Sequence, residues 1–172
     1  MRKPYSYLIW LMPYGKVNGR LSKIINELSK KYNSPRFAPH VTLLGSFEGF
    51  ENELFIKAKN LSNIIKPFEV ELTKASYLNE FFRSLFILVK KDQRLIKNHE
   101  IGKKLFNISE NKKFMPHLSL IYGNFNVKTK KEMIKLIGKN FKLKFKAKSI
   151  YLVHKNEVDL KWTVIQKFDL KN

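Results

Sequence analysis

The chain of 172 residues contains no cysteine, which excludes disulfide bonds, thiolate nucleophiles and cysteine-ligated zinc sites. No apolar run approaches the roughly 20 residues that a membrane-spanning helix needs, so we expect no membrane partner. No stretch rich in glycine, serine or proline divides the chain, and its length suits one domain spanning residues 1–172. A reducing, cytoplasmic setting is compatible with this composition.

Acidic residues are also scarce. The chain has 14 Asp and Glu against 34 Lys and Arg, which gives a formal net charge of +20. Such a charge favours polyanionic partners through long-range attraction and counterion release. The excess of lysine, together with many Asn and Ile residues, is also what an AT-rich genome produces. Because the lysines are spread along the chain, they indicate a general attraction for anions rather than a sequence-reading element.

The hydrophobic periodicity predicts an α+β fold with antiparallel hairpins. We expect helices at 21–32, 51–64, 92–106 and 129–139, with Asp92 as the cap of the third. Strands are expected at 5–12, 40–47, 67–77, 81–89, 115–122, 143–154 and 160–169. Breaker residues predict turns at 13–18 and 155–157. The segment 5–12 is interpreted as a first strand and not as a signal peptide.

One short sequence occurs twice. Residues 39–47, PHVTLLGSF, resemble residues 116–125, PHLSLIYGNF, with one residue inserted in the second copy. Each copy follows a predicted helix and lies on a predicted strand. A repeated unit of this kind implies two lobes related by approximate symmetry, each of which offers the same strand to a shared cleft.

The spacing within each copy explains why these residues act together. Side chains two residues apart on a strand point to the same face. His40 and Thr42 therefore project together, and so do His117 and Ser119. We expect two imidazoles and two hydroxyls to converge on one cleft.

This set of groups suits phosphodiester hydrolysis. A neutral histidine takes a proton from the attacking water, and a protonated one gives a proton to the leaving oxygen. The hydroxyls donate hydrogen bonds to the phosphate oxygens. A lone histidine before a strand is usually structural, as we expect for His99 and His154, but two matched copies favour catalysis. No histidine spacing is typical of a metal site, so we expect neither a metal nor a cofactor.

With these motifs, the chain resembles the two-histidine (2H) phosphoesterase superfamily, and within it the cyclic phosphodiesterase family of plants and yeast. The similarity is concentrated in residues 5–6, 10–13, 35–42, 81–82, 86 and 115–122. The resemblance implies a bilobal, pseudo-symmetric fold with two antiparallel sheets, each backed by helices, and a cleft between the lobes. It also implies hydrolysis of nucleoside 2′,3′-cyclic phosphates and ADP-ribose 1″,2″-cyclic phosphate, a by-product of tRNA splicing. By analogy, His117 is the base and His40 the acid, although spacing does not order them.

Three aromatic residues, Trp10, Phe82 and Tyr122, match family positions that hold a base or ribose by stacking. The competing interpretation is core packing. Strict alternation from His117 places Tyr122 on the opposite face, unless a bulge or the strand end turns it. Arg83 follows Phe82, so we expect it on the reverse face rather than at a phosphate.

Two alternatives remain open from the sequence. One is an RNA 2′,3′-cyclic phosphodiesterase, of the kind once called RNA ligases, or a related RNA-processing enzyme; the net charge favours this choice. The other is a non-catalytic RNA-binding module on the same fold. The expected partner is a small cyclic nucleotide or an RNA-derived cyclic phosphate, with RNA itself as the alternative, and we expect a monomer.

Overall fold

The computed structural model describes residues 5–109, 113–156 and 161–171. Within these residues, strands and helices follow one another in the predicted order as far as α4, with a short 3₁₀ helix at Phe81–Arg83, and three strands follow α4 where two are predicted. The α-helices are α1 (Gly15–Tyr32), α2 (Glu51–Ile64), α3 (Gln93–Leu105) and α4 (Val127–Ile137). The strands are β1 (Tyr5–Leu11), β2 (Val41–Gly49), β3 (Phe68–Ser76), β4 (Leu85–Val89), β5 (His117–Ile121), β6 (Asn140–Ala147), β7 (Ser149–Lys155) and β8 (Trp162–Asp169).

The strands form one antiparallel sheet in the order β6-β3-β4-β5-β2-β1-β7-β8. The sheet has two halves of four strands each, β5-β4-β3-β6 and β2-β1-β7-β8, and each half begins with the strand of one motif. The halves meet where Val41 pairs with Leu118. The prediction of two separate sheets is therefore corrected. Each motif strand lies at the edge of its own half, so pairing β2 with β5 satisfies backbone groups that two separate sheets would leave unpaired.

The helices pack on one face of this sheet. Apolar residues from all four helices join strand residues in a single buried cluster; the helical members include Ile25, Ala58, Leu95 and Met133. On β2, Val41 and Leu43 are fully buried in this cluster, whereas Thr42 between them is only half-buried and lies opposite Trp10. The motif side chains are therefore left on the face that carries no helix, which we call the open face. Among the described helices, none is long and apolar enough to cross a membrane.

The first helix begins six residues earlier than the sequence predicts, at Gly15 rather than residue 21. Its first turns include the exposed residues Lys16, Gly19 and Arg20. Apolar periodicity reports burial of a helix face rather than helicity itself, so an exposed helical turn leaves no such signal.

The predicted strand 143–154 is in fact two strands, β6 and β7, which pair with β3 and β1 in different halves of the sheet. Both alternate with the same period, so the crossing near Lys148 leaves no break in the pattern. The beginning of predicted strand 81–89 is the 3₁₀ helix. Residue 160 of the last predicted strand and residue 157 of the predicted turn lie outside the described residues. The cap of α3 is confirmed, because Asp92 Oδ1 accepts a hydrogen bond from Leu95 N at 2.8 Å.

Candidate active site

The pairing of β2 with β5 brings the two motifs together. Val41 is opposite Leu118, and antiparallel pairing about this point places His40 across from Ser119 and Thr42 across from His117. The four motif side chains thus form a two-by-two group on the open face. The prediction that they converge agrees with this register.

The two histidines are held in the same way. Nδ1 of His40 donates to the carbonyl oxygen of Ala38 at 2.7 Å, and Nδ1 of His117 donates to that of Met115 at 2.8 Å. Each carbonyl belongs to the residue before the motif proline, which is biased toward extended backbone. A carbonyl only accepts, so Nδ1 carries the proton in both rings. Nε2 of each ring is left to accept or donate a proton in a reaction.

Burial lowers the pKa of His40 to about 4, against an opposing effect of the hydrogen bond to Ala38, and the nearby His117 lowers it further. The His40 ring stacks on Trp10, with centroids 3.6 Å apart and 9° between the planes. The influence of His117 shows that the two imidazoles lie within electrostatic reach of each other. At neutral pH, His40 is therefore uncharged in the free protein.

The pKa of His117 is also lowered, chiefly by burial, and the hydrogen bond to Met115 opposes this effect. Two charged side chains act on the same ring: Arg83 lowers the pKa and Glu80 raises it. His117 is less buried than His40, so its Nε2 is the more open to solvent. Both imidazoles are predominantly neutral at pH 7, ready for one of them to accept a proton.

Ser119 connects the motif to the 3₁₀ helix. Its Oγ donates to the carbonyl oxygen of Phe82 at 2.9 Å, and the side chain is buried. Thr42 is half-buried and lies opposite Trp10 in the register of β1 with β2. Both hydroxyl-bearing residues are thus placed against aromatic residues of the open face.

A cavity of about 540 Å³ is lined in part by Trp10, on which His40 stacks, and by Ala38, whose carbonyl accepts from His40. Its walls include all three predicted aromatic residues, Trp10, Phe82 and Tyr122, together with Trp162. Arg36 and Lys161 add positive charge to its lining. A cavity of this size with stacking rings and nearby cations suits a nucleotide base and its ribose.

The model of the family described as "Cyclic phosphodiesterase-like protein" matches residues 6–171. The chain belongs to this family. The cyclic phosphodiesterase of Arabidopsis thaliana is 28% identical over 125 residues, which are 73% of this chain and 69% of the plant protein.

Two solved structures share the fold. Escherichia coli LigT, complexed with 3′-AMP, has a TM-score of 0.70 and 14% identity, with 99% of this chain and 100% of that chain covered. TT0787 of Thermus thermophilus has a TM-score of 0.69 and 16% identity, with 96% and 97% covered. Together with the family match, these similarities confirm the predicted two-histidine superfamily and the predicted enzyme class, a phosphodiesterase.

In this member of the cyclic phosphodiesterase-like family, the strand end turns Tyr122 into the cavity. β5 ends at Ile121, and Gly123 follows with φ of +147°, a region that favours glycine. Tyr122 stacks on Phe37 with centroids 3.9 Å apart. Burial raises the pKa of Tyr122, opposed by its hydrogen bond with Ser119. Strict alternation fails here because it applies only within the strand.

Trp162 is an aromatic residue of the cavity that the sequence analysis does not predict. Its ring centroid lies 5.5 Å from that of Phe82, 5.4 Å from that of Tyr122 and 6.4 Å from that of Trp10. No repeated motif surrounds Trp162 in the sequence. Only the pairing of β8 with β7, in which Trp162 is opposite Lys155, brings it to the cavity.

The other two histidines lie apart from the motif group. Nδ1 of His99 donates to the carbonyl oxygen of Leu43 at 2.7 Å, and the ring stacks on Phe114. The His154 ring lies 5.4 Å from that of Tyr7. Arg83, expected on the reverse face of a strand, lies on the 3₁₀ helix, where strand alternation does not apply, and its charge acts on the ring of His117.

Proposed function

We propose that this phosphodiesterase hydrolyses nucleoside 2′,3′-cyclic phosphates, ADP-ribose 1″,2″-cyclic phosphate or both, with His40 and His117 as a metal-independent acid–base pair. The observation that carries the proposal is the matched pair of Nδ1 hydrogen bonds, which leaves Nε2 of both rings for proton transfer. The name of the Arabidopsis relative supports a cyclic phosphate substrate, and the 3′-AMP held by LigT supports a nucleotide.

The reaction follows from these groups. Nε2 of one histidine accepts a proton from water as the water oxygen attacks phosphorus. The bond from phosphorus to one ribose oxygen breaks, and Nε2–H of the other histidine protonates that oxygen. The product is a phosphate monoester with a free neighbouring hydroxyl. Thr42 and Ser119 donate hydrogen bonds to the non-bridging oxygens, for which Ser119 exchanges its bond to the Phe82 carbonyl.

The electrostatics bear on which histidine is the acid. The family resemblance assigns the acid to His40, but burial lowers its pKa to about 4. His117 is less buried, so a proton that is taken up when the anionic substrate binds protonates His117 more readily than His40. Replacing the leaving oxygen with sulfur, which leaves without a proton, separates the roles. Such a substrate should restore turnover only in the variant that lacks the acid.

We further propose that the two halves of the sheet act as lobes on either side of the cleft. Trp10, Phe82 and Tyr122 then hold the base by stacking, and Trp162 completes the wall. Stacking tolerates different bases because every base has a π-face, so we expect little base preference.

The test is turnover of 2′,3′-cyclic AMP in the presence of EDTA. His40→Ala and His117→Ala should each lower kcat by at least about a hundredfold, the low end for positioned acid–base groups. His154→Ala is the matched control and should keep the parent rate, because His154 lies outside the motif group. A parent that opens neither this nucleotide, nor ADP-ribose 1″,2″-cyclic phosphate, nor a short RNA ending in a cyclic phosphate contradicts the proposal.

An RNA end is the second candidate substrate. The net charge of +20 and the cations Arg36 and Lys161 at the cavity favour a polyanion. A parent that opens the RNA end but not the mononucleotide supports this candidate within the same enzyme class. The enzyme class of the family argues against the non-catalytic RNA-binding module.

A further inference from the structure

Arg83 is fixed close to the catalytic strand by the backbone of the 3₁₀ helix. The carbonyl oxygen of Phe82 accepts from Ser119 Oγ at 2.9 Å, and that of Phe81 accepts from Gly123 N at 2.9 Å. Two successive residues of the segment are thus bonded to β5 and to the turn after it. Arg83 is the next residue, so its position relative to the motif is set by these bonds.

The guanidinium of Arg83 retains free hydrogen-bonding capacity. Its Nε donates to Glu80 Oε2 at 2.7 Å, and one terminal nitrogen contacts the same oxygen. The side chains are 37% and 48% exposed, respectively, and exposed ion pairs of this kind contribute little stability. A guanidinium has five N–H donors in a planar fork that matches a phosphate. Arg83 can therefore bind a phosphate at little cost to the fold.

The charge of Arg83 lies within electrostatic reach of His117, and Arg83 is not among the residues that line the aromatic cavity. Arg83 and Glu80 both act on the pKa of His117, after the larger effects of burial and of the Met115 bond. The aromatic cavity is lined by other residues, and its cations are Arg36 and Lys161. A cation beside the acid–base pair but outside the base cavity suits an anionic group adjacent to the scissile phosphate.

We propose that Arg83 binds a second phosphate of the substrate, next to the cyclic phosphate that the histidines attack. This inference rests on the proposed function. Two kinds of substrate carry such a phosphate: an RNA end, with its last internucleotide phosphodiester, and ADP-ribose 1″,2″-cyclic phosphate, with its diphosphate. Glu80 holds the guanidinium in place when the subsite is empty and competes with the phosphate for it.

The experiment compares kcat/KM on three substrates: 2′,3′-cyclic AMP, a dinucleotide ending in a 2′,3′-cyclic phosphate, and ADP-ribose 1″,2″-cyclic phosphate. The measured quantity is kcat/KM on each of the two substrates that carry a second phosphate, divided by kcat/KM on cyclic AMP. Arg83→Gln should lower this ratio at least about tenfold for one or both of these substrates, as expected for a lost charge-assisted hydrogen bond. The substrate whose ratio falls identifies the source of the phosphate.

Two further variants sharpen the test. Glu80→Gln should raise the same ratio, because the competing carboxylate is removed. Arg94→Gln, at an exposed position on α3, removes the same charge on the helix side of the sheet and should leave the ratio unchanged. A ratio that does not move in Arg83→Gln, or that falls equally in Arg94→Gln, overturns the inference alone. A parent inert on all three substrates overturns the proposed function and the inference with it.

Discussion

His40 stacks on Trp10, whereas the ring of His117 lies 5.1 Å from that of Phe86 and within reach of the charge of Arg83. Identical hydrogen bonds to the backbone thus hold two imidazoles in different surroundings. The shared bonds set the same tautomer in both rings, and the surroundings set the pKa of each. At the scale of the residue, this difference is what the proposed mechanism needs, in which two equal motifs perform opposite proton transfers.

The buried His40 also links stability to pH. Its pKa falls from 6.5 to about 4 on folding, so below pH 6.5 the unfolded chain binds more protons than the folded one. Stability is then fully present above pH 6.5 and decreases as the pH falls toward 4, by about 3 kcal/mol from this residue. His40→Gln should remove this part of the acid sensitivity.

Urea unfolding at pH 7.5 and pH 4.5 measures the effect. Between these two pH values, the free energy of unfolding should decrease by about 2–3 kcal/mol more in the parent than in His40→Gln. His117→Gln serves as the comparison, because its ring is less buried and should give a smaller difference. Equal pH dependence in the parent and in His40→Gln would show that His40 titrates normally in the folded protein.

At the scale of the element, the packing of α3 on β2 depends on Gly102. A Cβ added there would lie 2.9 Å from Leu44 Cδ2, and Leu44 is fully buried. The helix therefore packs so closely on the Leu44 side chain of β2, the strand that also carries Thr42, that a Cβ at residue 102 requires this side chain to move. Gly19 on α1 is the opposite case, since a Cβ there would meet nothing within 4 Å.

These two helical glycines should respond to alanine with opposite signs. Gly19→Ala should stabilise the protein by about 0.5–1 kcal/mol, because glycine costs that much in a helix interior. Gly102→Ala gains the same propensity but overpacks the core, which costs about 1–3 kcal/mol, so we expect net destabilisation. Thermal unfolding of both variants under one condition is the measurement. A Gly102→Ala variant as stable as Gly19→Ala would mean that Leu44 moves aside freely.

At the scale of the whole molecule, the dominant physical property is the net charge of +20, which comes from 34 basic and 14 acidic residues. Such a charge raises affinity for polyanions in proportion to the phosphates contacted, and salt weakens that affinity. If RNA ends are substrates, kcat/KM on a ten-nucleotide RNA should decrease much more steeply with salt than kcat/KM on cyclic AMP. Measuring both between about 50 and 200 mM salt decides this. Equal slopes would mean that the net charge plays no part in substrate choice.

Local rules were sufficient for the twin motifs, the shared face of His40 and Thr42, the bounds of α2 and the Asp92 cap. Each depends on residues a few positions apart: a period of two in strands, a period of 3.6 in helices, and a side chain bonding the next turn. The family resemblance added the superfamily and the aromatic residues Trp10, Phe82 and Tyr122. All of these features can be recognised in short segments of the sequence.

Other features depend on which distant segments pair, and tertiary structure decided them. The single sheet exists because β2 and β5 pair their edges, and Trp162 reaches the cavity only through the pairing of β8 with β7. The low pKa of His40 comes from its burial, to which the stack on Trp10 of β1 contributes. No short stretch of sequence contains these effects, because each is the sum of contacts between residues far apart in the chain.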